Sequence, residues 1–224
     1  MRFVSLVSIC RMAVLFSAIS FSIQIGHAQS TVNLRVMAAN LNGGPQTYQP
    51  SALRIFQGLK PDVVAIQEFN YSNNADSDLR AMVNIAFGTN FYYYREPYTA
   101  SGDLPNGIIS RYPIVNSGSW ADTEVANRGF AWAQIQLPSN MLYVVSVHLL
   151  TSSAGERAIE AGELQTQIQS TFPTNSWVVL AGDFNTDSRT EACMTTLDTF
   201  LSDNPIPVDN LGNSDTSEIG RAHV

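Results

Sequence analysis

Four apolar runs of strand length each stop on a polar side chain, and this repeated stop constrains the chain more than any other feature. Residues 34–39 lead into Asn40, and residues 63–66 into Gln67 and Glu68. Residues 143–147 lead into His148, and residues 178–182 into Asp183, Phe184 and Asn185. Short β-branched or alternating runs predict strands, here half-buried over 32–40, buried over 62–67 and 177–181, and longer over 142–149. Further strands are expected at 91–98, at 107–110 (closed by Pro113) and at 130–137. Pro138, Ser139 and Asn140 separate 130–137 from 142–149, a spacing that reads as a hairpin. Apolar residues three or four apart predict helices over 48–59, 78–87, 155–170 and 190–200. In the third of these, Glu156 and Glu160 come early, where the positive helix start favours acids. Strands mixed with helices at irregular intervals indicate an α/β sandwich of sheets with helices outside.

The 224 residues are 45% hydrophobic, enough for one substantial core. The first 28 read as a secretion signal: Arg2 and Arg11 lie ahead of an apolar run to Ile25, and Gly26, His27 and Ala28 supply small residues for cleavage. That leaves residues 29–224 as the mature domain, placed outside the cytoplasm. The apolar run is shorter than a membrane span needs, so no stable membrane association is expected after cleavage. With the signal gone, ten basic residues face nineteen acidic ones, and Lys60 is the single lysine. A basic stripe for salt-driven nucleic-acid binding is therefore absent, although a bound divalent cation can supply the charge that phosphate needs. Cys193 is then the only cysteine, so no internal disulfide forms and the thiol is expected as a small buried group.

Singly, the strand-end residues have ordinary readings. Glu68 could be a solvated acid, His148 a satisfied core histidine, and Asn40 or Asp183-Phe184-Asn185 turn chemistry. Taken together they place two carboxylates, two amides and an imidazole at the ends of strands, where a rigid scaffold can hold functional groups. Such a set suits a hard, oxygen-loving cation and in-line attack of water on phosphorus.

Five segments carry a family resemblance: VMAAN (36–40), PDVVAIQE (61–68), NGIISRYPI (106–114), SVHL (146–149) and LAGDFN (180–185). In this order they resemble the motifs of the endonuclease/exonuclease/phosphatase superfamily, which includes pancreatic deoxyribonuclease, over about residues 32–216. The resemblance implies a four-layer α/β/β/α sandwich of two mixed sheets. It also implies a monomeric metal-dependent hydrolase of phosphodiesters or phosphomonoesters, a nuclease first among them, with lipid and sugar phosphates as alternatives. Mg2+ is the implied cofactor, with Mn2+ or Ca2+ as substitutes, and the implied partner is a phosphoester substrate such as nucleic acid.

By that resemblance Glu68 is the principal metal ligand, supported by Asn40, with Gln67 ordering its surroundings. His148 contacts a phosphate oxygen, Asp183 aligns or deprotonates the attacking water, and Asn185 stabilises developing charge. Asn106 either touches a phosphate or shapes a turn, and Arg128 either binds a phosphate with its planar fork or forms a surface ion pair. The aromatic run 91–94 either stacks on bases or supplies core. One departure stands out. The family's final strand ends in a Ser-Asp-His-type motif that nothing here matches, His223 being a tail residue. The chain is thus expected to hold about four-fifths of the domain, lacking its last strands. The rival to a hydrolase is a catalytically inactive metal- or phosphate-binding domain.

Overall fold

A computed structural model describes residues 33–42 and 49–202. The secretion signal, the expected first residues of the 32–40 strand and 48–59 helix, and the tail with His223 lie outside the described residues. In chain order the elements are β1 (Val36–Asn40), α1 (Gln49–Leu59), β2 (Val63–Gln67), α2 (Asp76–Ala86), β3 (Tyr92–Arg95) and β4 (Gly107–Ser110). There follow β5 (Ile114–Ala121), β6 (Gly129–Gln136), β7 (Met141–His148), α3 (Ala154–Thr171), β8 (Trp177–Asp183) and α4 (Ala192–Leu197).

The strands form two mixed four-stranded sheets, ordered β1-β2-β4-β3 and β5-β6-β7-β8. Each contains one parallel pair, β1 with β2 and β7 with β8; the other pairings are antiparallel. Side chains alternate across a strand, so the period of two sorts them into layers. Val63, Ala65 and Ile108 face Ala131, Ala133, Ile135 and Val144 between the sheets. Val64, Ile66 and Ile109 turn outward onto Phe56 of α1 and Leu79, Met82 and Val83 of α2. Phe130, Val145 and Val147 turn outward onto Leu164 and Ile168 of α3 and Cys193 and Leu197 of α4. The architecture is the four-layer α/β/β/α sandwich. Each fully buried Phe, Leu or Ile side chain contributes roughly 1.5–3 kcal/mol through apolar area removed from water. Cys193 lies buried in this outer layer, and burial raises its thiol pKa.

The strand β5 departs from the sequence expectation, which placed no element there. Its residues Asn116, Ser117, Gly118 and Ser119 carry no apolar alternation, and tertiary context makes the strand: it pairs with β6, and Trp120 stacks on Trp132 at 6.0 Å. The expected hairpin is β6–β7, closed by a bond from the Leu137 amide to the Asn140 carbonyl. The expected 190–200 helix contracts to six residues, and α2 starts two residues earlier than its periodicity indicates. In the 91–94 run, Phe91 and Tyr93 join the outer core and Tyr94 the inner one, while Tyr92 is exposed.

Candidate active site

The two parallel pairs end at the same edge of the sandwich. Asn40 is the register partner of Gln67 in one sheet, and His148 is the partner of Asp183 in the other. Parity then aims them. In β2 the odd residues face inward, and in β7 the even ones do, so Gln67, Ser146 and His148 all point between the sheets. By the same count Asp183 follows Val179 and Ala181 inward.

The result is one polar cluster. Asn40 Nδ2 donates to Glu68 Oε1 at 3.2 Å and to Asp183 Oδ2 at 3.1 Å, so one amide holds both carboxylates. His148 lies between the same acids, with Nδ1 4.0 Å from Glu68 Oε1 and Nε2 3.8 Å from Asp183 Oδ2. Its Nδ1 is buried and has no hydrogen-bond partner. Burial, then the charge of Arg128, holds the His148 imidazole below its ordinary pKa against the upward pull of Asp183 and Glu68. The ring is therefore neutral near pH 7 and carries one N–H.

Backbone geometry shapes the two strand exits. Glu68 has φ +51° and Asn185 φ +49°, both in the left-handed region. Asparagine tolerates that region; for glutamate it is sterically disfavoured. Asp183 Oδ1 accepts the Asn185 backbone N–H at 3.0 Å, and Asn185 Nδ2 donates to the Leu149 carbonyl at 2.8 Å. Asn40 Oδ1 accepts the Asn42 N–H at 2.7 Å. Behind the cluster, Gln67 Nε2 donates to Ser146 Oγ at 2.8 Å, and that hydroxyl donates to the Ile66 carbonyl at 3.0 Å. This buried link ties the two sheets together beneath the site.

Three further side chains have partners that the sequence did not specify. Asn106 has 0% exposure; its N–H donates to Glu96 Oε2 and its Nδ2 to the Gly129 carbonyl, each at 2.7 Å. These bonds clamp β4 to the start of β6. Arg128 forms no ion pair among the described residues. It is half-buried, with Nε on the His148 carbonyl at 2.6 Å, Nη2 on the Leu149 carbonyl at 3.1 Å and Nη1 on Asn127 Oδ1 at 3.3 Å. Glu160, expected early in its helix, is fully buried and takes the Leu150 N–H on both oxygens, at 3.0 and 3.1 Å. Burial, then its hydrogen bond with Asp122, pushes its carboxyl up to about 8. Glu96 is likewise pushed up by burial, to about 7. Neither acid had a sequence signal, since a single acid normally reads as a solvated one.

The donor set can be tested against a cation. Among the described residues no group of three or more His, Cys, Asp and Glu side chains is placed to enclose a metal. Magnesium does not require such a cage: it keeps several waters and uses one or two carboxylates. Glu68 beside the Asn40 amide, with Asp183 opposite, fits that looser mode. Beside the cluster, loops 96–106 and 122–128 border an open cavity of about 310 Å³ lined by Glu96, Asp103, Asp122 and Arg128.

The sequence model for the Endonuclease/Exonuclease/phosphatase family matches residues 37–218. No curated protein matches the chain significantly. Among solved structures, humanized D. rerio TDP2 is 19% identical with a TM-score of 0.58, over 72% of this chain and 66% of that one. A mannosyl-6-phosphatase of Bacteroides thetaiotaomicron VPI-5482 is 17% identical with a TM-score of 0.58, over 75% and 70%. A β-hairpin deletion mutant of Staphylococcus aureus beta toxin is 18% identical with a TM-score of 0.56, over 74% and 73%. The chain spans just under two thirds of the D. rerio structure, and these likenesses are of fold.

Proposed function

The chain belongs to the endonuclease/exonuclease/phosphatase family, and from that premise we propose that it is an extracytoplasmic, Mg2+-dependent phosphoester hydrolase with nucleic acid as its foremost substrate class. One observation carries the reading: a single amide, Asn40 Nδ2, holds Glu68 and Asp183 facing each other with the His148 imidazole between them. Holding two carboxylates and an imidazole together works against stability, so a structural role explains the cluster poorly.

In this reading Asp183 orients a water and takes its proton as the water oxygen bonds to phosphorus; the leaving oxygen departs opposite with its bonding pair. The single N–H of His148 donates to a phosphate oxygen, and the second N–H of the Asn185 amide faces the growing negative charge. Mg2+, held by Glu68 with Asn40 beside it, neutralises phosphate charge when bound; Mn2+ and Ca2+ are the substitutes. The crystal structure of D. rerio TDP2 with a single-strand DNA product supports the nucleic-acid choice at the level of fold. A second reading, sugar-phosphate hydrolysis, is favoured by the cavity beside the site. Its acids would repel a polyanionic strand yet accept hydrogen bonds from the hydroxyls of a compact substrate.

The test uses bis(p-nitrophenyl) phosphate, supercoiled plasmid and mannose 6-phosphate with the mature chain, in Mg2+ and in chelator. Metal-dependent nicking supports the nuclease, and release of phosphate from the sugar supports the second reading. Turnover of none of the three reduces the chain to a binding domain. Glu68→Ala is expected to abolish Mg2+ binding in calorimetry with its far-UV spectrum unchanged; undiminished affinity removes Glu68 as the ligand.

A further inference from the structure

The turn that leaves β7 has four consecutive backbone carbonyls, and all four are held by arginines. Arg128 takes those of His148 and Leu149. Arg157, from α3, takes those of Leu150 and Thr151 through Nη1, at 2.9 and 3.1 Å. The Leu150 N–H is closed by Glu160, and Asn185 shares the Leu149 carbonyl. A turn fixed by so many charge-assisted bonds has little freedom.

The two arginines divide the work. Arg157 is buried, grips Glu191 Oε2 through Nε and Nη2 at 2.9 and 2.7 Å, and holds the far end of the turn. Arg128 holds the end that bears the imidazole, and three of its five N–H donors already have acceptors in the chain. Its charge also stands among the carboxyl groups of Glu160, Asp122, Glu68 and Asp183. A fork that spans two successive carbonyls fixes direction as well as distance; a lysine, a point donor on a flexible stem, does neither.

We propose that Arg128 is a positioning residue for hydrolysis: by holding the carbonyls of His148 and Leu149 it sets the imidazole between Glu68 and Asp183, and it does not bind substrate phosphate. The proposal rests on the hydrolase reading only for its kinetic consequence; the clamp itself is a property of the turn.

The experiment compares Arg128→Lys and Arg128→Ala with the parent in the full mature chain, using bis(p-nitrophenyl) phosphate with Mg2+. In both variants kcat is expected to fall by about 10–100-fold, the usual effect of losing a group that orients a functional side chain. KM is expected to stay within about twofold, because no ground-state contact to substrate is lost. Methylguanidinium should restore part of the lost kcat to Arg128→Ala and none to Arg128→Lys. Amide exchange without metal should accelerate at residues 149–151 and not in β6 or the body of α3. A raised KM with unchanged kcat would assign Arg128 to phosphate binding and overturn the proposal. So would unchanged exchange at 149–151. If Arg128→Ala does not fold, the lysine variant carries both readouts. If the parent cleaves no phosphoester, the hydrolase reading fails on that result alone, and exchange at 149–151 still decides the clamp.

Discussion

The Gln67–Ser146 link between the sheets offers the sharpest stability test. Both side chains are buried, at 1% and 0% exposure, so neither can turn to water when its partner is lost. Ser146→Ala removes the acceptor of the Gln67 amide and the hydroxyl donor to the Ile66 carbonyl. A buried group stranded in this way costs about 1–3 kcal/mol. A loss near 2 kcal/mol lowers Tm by roughly 4–8 °C for a chain of this size. Gln67→Met keeps length and volume and leaves the hydroxyl its Ile66 partner, so its loss should be nearer 1 kcal/mol. The double variant has no stranded amide and should be more stable than the two single losses imply, by about 1 kcal/mol. Urea unfolding followed by both circular dichroism and tryptophan fluorescence measures all four proteins and checks that the transitions coincide. Losses that add to within about 0.5 kcal/mol would show that the two side chains do not interact, and would refute the linked-sheet argument.

Gly182→Ala should be the most damaging small substitution at the site edge, because a Cβ there would strike the Val147 backbone, which cannot yield as a side chain end could. Overpacking of this kind costs typically 1–3 kcal/mol; a Tm within about 1 °C of the parent would contradict the close β7–β8 approach. Stability should also depend on pH through Glu160. Its folded carboxyl titrates at about 8 whereas the unfolded one titrates near 4.5, so the folded chain retains a proton between those values. Its contribution is therefore fully present below about pH 4.5 and lost as pH rises through about 8, with a slope of at most about 1.4 kcal/mol per pH unit. Glu160→Gln should flatten the urea midpoint between pH 5 and 9, and an unchanged slope would place the titration elsewhere.

Much of this fold could be read in the chain because its strands keep strict parity. The run 142–149 alternates between two cores, and its even residues place Ser146 and His148 in line. What parity could not show is what one strand meets on another. That Asn40 bridges Glu68 and Asp183 depends on two parallel pairs ending at one edge, a tertiary fact spread over more than a hundred residues. Strand β5 was illegible because Asn116 to Ser119 carry no pattern of their own and borrow their strand from β6. Arg157 and Glu160 resembled an ordinary charged helix face; only the turn after β7, with its unpaired backbone groups, turns them into buried clamps. Arg128 invited a reading as a phosphate fork because it is one of few cations; its hold on the His148 and Leu149 carbonyls had no sequence signal.

The left-handed backbone of Glu68 has a consequence for how this sequence can drift. Glycine adopts φ +51° without the steric penalty that glutamate pays there, on the order of 1–2 kcal/mol. Position 68 is therefore a place where stability and chemistry pull toward different amino acids. A lineage screened only for thermal robustness would tend to trade this glutamate for glycine, in one step gaining a relaxed strand exit and surrendering the carboxylate. Engineering for shelf life should hold position 68 fixed, since that selection would remove the side chain on which the proposed chemistry depends.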